Sequence, residues 1–152
     1  MTPKPTGVKV AISNRQRRLK INASLLTKVA ECVLGFVHDD RADLGIVLVD
    51  DDGIAKLNAQ YHNRQGPTDI LSFDYGEGHG ELIISVDHVI AQARRFRSTP
   101  SRELVLYVVH GILHLHGYDD VAVRDRRRMR AAERRLVLRL GRDFNFQKLI
   151  LK

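Results

Sequence analysis

From Leu104 to Leu113 the chain places Leu104, Val105, Val108, Val109, Ile112 and Leu113 on most sides of one helix. A helix that is apolar nearly all round must be covered by the rest of the molecule, so the other elements are expected to pack around this one. Thr99 is its predicted cap and Pro100 its first-turn residue, and Gly117 is the predicted left-handed stop. Inside the apolar run stand His110 and His114. A four-residue step leaves two helical side chains about 40° apart on one face. Buried imidazoles without partners are costly, and one shared metal ion satisfies both, the arrangement of metalloprotease helices. Beyond the Gly117 turn, Asp119 or Asp120 can return a carboxylate to the same ion. Two imidazoles, a carboxylate and an open position are the makings of a catalytic zinc site. His116 lies two residues beyond His114, points about 200° away on the helix, and is expected at the surface.

The remaining elements follow from the same patterning. Val8 to Ile12 alternates and reads as an edge strand. Ala23 to Val37 has helical spacing after a capping Asn22. Leu44 to Val49 is a short buried strand. Asp50, Asp51 and Asp52 head a helix through about Tyr61, with Ile54 and Leu57 inward. Carboxylates favour a helix N-terminus, and this acidic run lacks the loop pattern and terminal glutamate of a calcium site. His62 to Pro67 reads as a polar loop. Ile70 to Tyr75 and Glu81 to Val86 are strands on either side of Gly76–Gly80. That glycine-rich stretch lacks the lysine and following helix of a phosphate loop, so it is a flexible hairpin connection. Asp87 to Arg97 is an amphipathic helix. The last helix runs from about Val121 to Leu140 and stops at Gly141, with Met129, Ala132, Leu136 and Leu140 inward. Strands and helices alternate irregularly. The expected fold is therefore α/β or α+β: one domain over residues 1–152, a mixed sheet packed with helices, and the metal site on the central helix and its following turn.

Charge is unevenly placed. The formal net charge is +7, and the stretch from Arg124 to Arg142 supplies all of it: nine arginines stand against Asp125 and Glu133, while the remainder balances. Arg15, Arg17, Arg18 and Lys20 form a smaller cluster. Concentrated arginine without matching acid points to a polyanion, most simply nucleic acid, and Arg127, Arg128 and Arg135 are the expected phosphate contacts. No stretch approaches the apolar length of a membrane span, and Met1 to Asn14 has no long apolar core of a secretory signal, so a cytoplasmic protein is expected. The single cysteine, Cys32, lies on an apolar helical stripe and is read as core.

The stretch His110-Gly-Ile-Leu-His-Leu-His-Gly-Tyr-Asp-Asp120 resembles the motif of the YbeY family of metal-dependent endoribonucleases, His-Gly-x-Leu-His-Leu-x-Gly-Tyr-Asp-His. It departs at the last position, where Asp120 replaces the family's third histidine ligand. Upstream, Leu57-Asn58, Tyr61 and Pro67-Thr68-Asp69-Ile70-Leu71-Ser72-Phe73 resemble the family's Leu-Asn…Tyr-Arg…Pro-Thr-Asp-Val-Leu-Ser-Phe block at the same spacing, with His62 in place of the arginine. Gly80-Glu81-Leu82-Ile83-Ile84 resembles the strand that follows. With flanking helices, the resemblance covers most of the chain.

The resemblance implies an α/β fold with the site in a cleft beside the sheet. It also implies a single-strand-specific endoribonuclease that matures the 3′ end of small-subunit ribosomal RNA, acts in ribosome quality control, and meets the ribosome or its proteins. It favours Asp120 over Asp119 as the third ligand beside His110 and His114. Carboxylate oxygen is a legitimate zinc ligand; its harder, negative character opens the site to manganese or magnesium as well. His62 takes the position of the family's arginine, as a cation or as an acid/base near neutral pH, with Arg64 as a second cation for RNA. His110 and His62 are thus the expected catalytic residues, and Thr68, Asp69 and Ser72 shape the cleft. Position 111 is Gly, where zinc proteases carry their general-base glutamate, which argues against peptide hydrolysis. The reading from a different class is an RNA- or ribosome-binding protein whose metal is structural or vestigial.

Overall fold

The computed structural model describes residues 8–62, 69–118 and 121–151, without the side chains of residues 60–62. A four-stranded sheet in the order β1-β3-β5-β4 organises it. β1 (Lys9–Asn14) and β5 (His79–Ser85) flank β3 (Asp43–Val49) in parallel. β4 (Ile70–Gly76) closes the other edge antiparallel to β5. A second ladder, two residues long, pairs β2 (Lys20–Ile21) with β6 (Ile150–Leu151). The sheet is mixed, as expected, and β1 is its edge.

Two apolar clusters cover the two faces. On one, Leu44, Ile46 and Leu48 of β3 and Leu82 and Ile84 of β5 join the large core. That core includes α1 (Ala23–Phe36), α3 (Val86–Arg95), α4 (Pro100–Leu115) and α5 (Val123–Asp143). On the other, Val47, Val49 and Ile83 meet Ile54 of α2 (Asp51–His62) and Leu71, with Leu57 and Phe73 at the margin. Period-2 alternation along β3 sends successive side chains into different clusters, which is why its sequence is apolar on both faces. α4 is the central helix: Leu104, Val105, Val108, Val109, Ile112 and Leu113 are all buried. Gly111 lets it approach the sheet, since a Cβ there would stand 2.7 Å from Leu82 and 2.9 Å from Ile70.

The helix starts obey their sequence signals. Asn22 accepts the Leu25 N–H, Ser85 the His88 N–H and Thr99 the Arg102 N–H. Asp50 accepts the Gly53 N–H at 2.7 Å, so the acidic run caps α2. Several boundaries differ from expectation. α2 runs through His62, which is therefore helical and not the start of a loop. β5 gives its last residue, Ser85, to the cap of α3, so that helix begins at Val86. The hairpin connection is shorter than expected, a two-residue turn with Glu77 and Gly78 both at positive φ (53° and 82°), the twist that suits a hairpin. α5 begins at Val123 and passes through Gly141 to Asp143. Gly141 takes no left-handed turn there. The extended backbone of Phe144 ends the helix, and Phe144 and Phe146 then pack against the core. On the inner face of α5, Val137 is buried with Met129, Ala132 and Leu140, and Leu136 is partly buried.

Candidate functional site

The C-terminal half of α4 carries the two histidines. Both lie on the same helix four residues apart, and Gly111, about 100° round from His110, meets the sheet. His110 is half-buried and His114 exposed. The Nδ1 of His110 lies 2.5 Å from Oε1 of Glu133, which α5 holds largely buried. A carboxylate on one ring nitrogen fixes the ring and directs the other nitrogen, here Nε2, toward a ligand, the usual support for a metal-binding histidine. In the sequence Glu133 counts only as a charge against the arginines. Its separation from His110 by a whole helix leaves no spacing to detect.

α4 ends in a Schellman motif. The Gly117 N–H donates to His114 O at 3.1 Å and the Tyr118 N–H to Leu113 O at 2.9 Å, with Gly117 at φ +107° as its sequence predicts. A buried ionic cluster holds the same helix end. Arg41 grips Asp39 with two guanidinium nitrogens, at 2.9 and 3.0 Å, and reaches Leu115 O at 3.3 Å. His116 turns to Asp39, its Nδ1 3.1 Å from Oδ2, so it faces away from the His110–His114 side as expected. Burial works against the charge on Asp39. The hydrogen bonds from Arg41 and His116 outweigh it and hold the carboxyl below the ordinary range.

Gly111 settles the comparison with zinc proteases on steric grounds. The Cβ of a general-base glutamate at this position would stand in space filled by Leu82 and Ile70. Asp69 accepts the Ile70 N–H on its carboxylate, and its carbonyl takes the Ser85 N–H. It therefore anchors the start of β4. Tyr107, one turn before His110, buries its hydroxyl; desolvation first, then the charges of Asp69 and Glu103, raise its pKa and keep it neutral. A serine–histidine–aspartate grouping also occurs, at Ser85, His88 and Asp51. Asp51 Oδ1 takes both Ser85 Oγ at 2.7 Å and His88 Nδ1 at 2.9 Å, and the same Nδ1 lies 3.3 Å from Ser85 Oγ. One ring nitrogen faces both partners, where a triad uses the two nitrogens for serine and aspartate separately, so the cluster ties the starts of α2 and α3 together.

Asp119, Asp120, Arg64 and Thr68 lie outside the described residues, as does the side chain of His62, whose backbone closes α2. Among the described residues no three His, Cys, Asp or Glu side chains form a metal group. Two imidazoles with one ring already backed by a carboxylate fit a borderline divalent ion. Of the expected RNA contacts, Arg127, Arg128 and Arg135 are all exposed on α5. Arg128 and Arg135 line depressions shared with Tyr118; Arg127 lines none of these. Cys32 is buried and its thiol is pushed up to about 11, by desolvation and then by Asp143, which suits packing and not reactivity. No described helix is long and apolar enough to cross a membrane.

Known proteins resemble this chain over most of its length. The family model described as Endoribonuclease YbeY matches residues 11–141. A protein of Geobacter metallireducens named Endoribonuclease YbeY is 35% identical over 147 residues, covering 90% of this chain and 98% of its own. One of Syntrophotalea carbinolica with the same name is 36% identical over 146 residues, covering 89% and 97%. The solution structure of a Thermotoga maritima protein superposes with a TM-score of 0.61 at 28% identity, over 84% of this chain and 86% of that one.

Proposed function

Because the chain belongs to the YbeY family of endoribonucleases, we propose that it is a metal-dependent endoribonuclease that hydrolyses phosphodiester bonds of single-stranded RNA. The observation that carries the reading is the histidine pair of α4, with His110 fixed from behind by Glu133. His110, His114 and Asp120 would hold one divalent ion, zinc in the first instance. When bound there, such an ion supplies Lewis acidity to the phosphodiester and to the attacking water.

The chain's own groups do the rest. Glu133 holds the His110 ring and its tautomer. The Schellman turn and the Asp39–Arg41 pair fix where α4 ends. The arginines of α5 neutralise phosphates along the strand. His62 takes the role of a cation or proton donor toward developing negative charge, with Arg64 beside it in sequence. The source of the RNA is taken to be the ribosome, with maturation of small-subunit ribosomal RNA as the task and the cytoplasm as the place.

The test is a cleavage assay on single-stranded RNA with metal-stripped and refilled protein, together with metal content. Stripped protein and His114→Ala should lose both metal and cleavage, and His116→Ala should keep its metal. His62→Ala should keep metal and lose cleavage; His62→Arg should restore it with less pH dependence near about 6.5. RNA binding without cleavage in the refilled protein would leave an RNA-binding protein with a structural metal instead.

A further inference from the structure

Tyr118 stands where three surface depressions meet. One, of about 380 Å³, is lined by His116, Gly117, Tyr118, Asp125 and Arg128. A second, of about 370 Å³, runs between the end of α1 and α5, past Phe36, His38, Tyr118, Arg135 and Arg139. The third joins Tyr118 to Arg128, Arg134, Arg135 and the exposed Leu138. One partly exposed aromatic ring thus shares its linings with arginines from a single helix, and among the described lining residues the acid is Asp125; Asp119 and Asp120 follow Tyr118 in the sequence. Arg139 already lies over the ring of Phe36, 4.7 Å from its centroid, so a guanidinium–aromatic stack forms one wall.

The ring is also fixed relative to the histidines. The Tyr118 N–H is the closing donor of the Schellman motif that ends α4, and its side chain packs on the core cluster containing Leu113. The backbone that places His114 therefore places Tyr118 four residues on, with no freely rotating segment between them. A rigid aromatic platform with cations on its flanks is how proteins hold single-stranded nucleic acid: the base stacks on the ring and the phosphates meet the arginines.

We propose that Tyr118 is a stacking platform for one unpaired base of the RNA, with Arg128 and Arg135 on the flanking phosphates. The groove toward Phe36 and Arg139 then carries the strand away from the histidine pair. This rests on the chain acting on RNA, yet it concerns binding and not cleavage. A duplex cannot present an unstacked base to the ring, so the platform selects single strands.

The experiment is binding of a short fluorescent single-stranded RNA to metal-stripped full-length protein, read by anisotropy. Tyr118→Ala should weaken binding roughly 5- to 150-fold, the range to which a base–aromatic stack of about 1–3 kcal/mol converts. Tyr118→Phe should bind as the parent does, because the ring and not the hydroxyl is used. With the parent protein, an abasic site moved along the RNA should weaken binding at one position, and that loss should vanish in Tyr118→Ala. Equal affinity for every abasic position, or equal affinity for duplex and single strand, would overturn the platform even if the protein cleaves RNA. Loss of cleavage with the abasic pattern intact would instead overturn the nuclease reading alone. Should Tyr118→Ala fold poorly, the abasic scan on the parent and the Tyr118→Phe comparison still decide the matter.

Discussion

Glu133 and Gly111 show how single positions fix the helix that bears the histidine pair. Glu133 holds His110 through Nδ1; a glutamine there keeps the shape and loses the charge. Glu133→Gln is expected to weaken zinc affinity about 10- to 100-fold with the fold unchanged, measured by competition with a chelator. An unchanged affinity would mean that Glu133 only balances the arginines. Gly111 is the residue that lets α4 settle on β5. An added methyl group would press on two Leu82 methyls at 2.7 and 2.8 Å and on Ile70 at 2.9 Å. Overpacking of this kind costs about 1–3 kcal/mol, against a helix-propensity gain of about 1 kcal/mol. Gly111→Ala should therefore lower stability to urea by about 1 kcal/mol. A stabilised variant would show that the sheet yields more readily than the distances imply.

At the scale of elements, the end of α4 depends on the Asp39–Arg41–His116 cluster as much as on Gly117. Asp39 is 4% exposed, and its carboxyl is held below the ordinary range. In the unfolded chain it titrates near about 3.9. Above that pH the carboxyl is ionised in both states and its stabilising contribution is complete. As pH falls from there through the lower native value, the unfolded chain takes up the proton first and the contribution is lost. Asp39→Asn should thus be less stable than the parent at neutral pH, and the difference should shrink as the solution is acidified below about pH 4. A constant difference across that range would assign the loss to packing. The ends of α1 and α3 teach a related lesson. His38 and Arg97 sit at φ 54° and close Schellman-type turns, with Asp39 N–H on Leu34 O and Ser98 N–H on Ala93 O. Neither position holds the glycine that makes such an end visible in sequence, so the sequence patterning carries both helices one or two residues too far.

Across the whole molecule, one helix holds nearly all of the charge excess. Met129, Ala132, Val137 and Leu140 pack inward, and the arginines cover the rest of its surface. Changing Arg127, Arg128 and Arg135 together to glutamine should leave thermal unfolding near that of the parent, since all three are exposed. RNA binding should weaken and its dependence on salt should flatten, by about 0.7 in log–log slope for each single-strand phosphate that the helix no longer neutralises. An unaltered slope would assign this surface to a protein partner.

Much of this architecture is encoded in local order. The caps at Asn22 and Thr99, the left-handed Gly117, the apolar girth of α4 and the four-residue step from His110 to His114 each depend on residues a few positions apart. Short-range backbone geometry makes such signals legible in one dimension. Contacts made across the chain are not legible in that way. Nothing in the sequence ties Glu133 to His110, Arg41 to Leu115 O, or Tyr118 to the arginines of α5. β2 and β6 pair over only two residues each and carry no periodicity of their own. Gly141 has the form of a helix stop, but packing of Phe144 and Phe146 carries α5 past it. A local propensity of about 1 kcal/mol yields where burial of aromatic side chains supplies more. The sequence by itself determined the helix that bears the histidines; only the tertiary structure decided what stands behind and beside them, because those partners come from elements far apart along the chain.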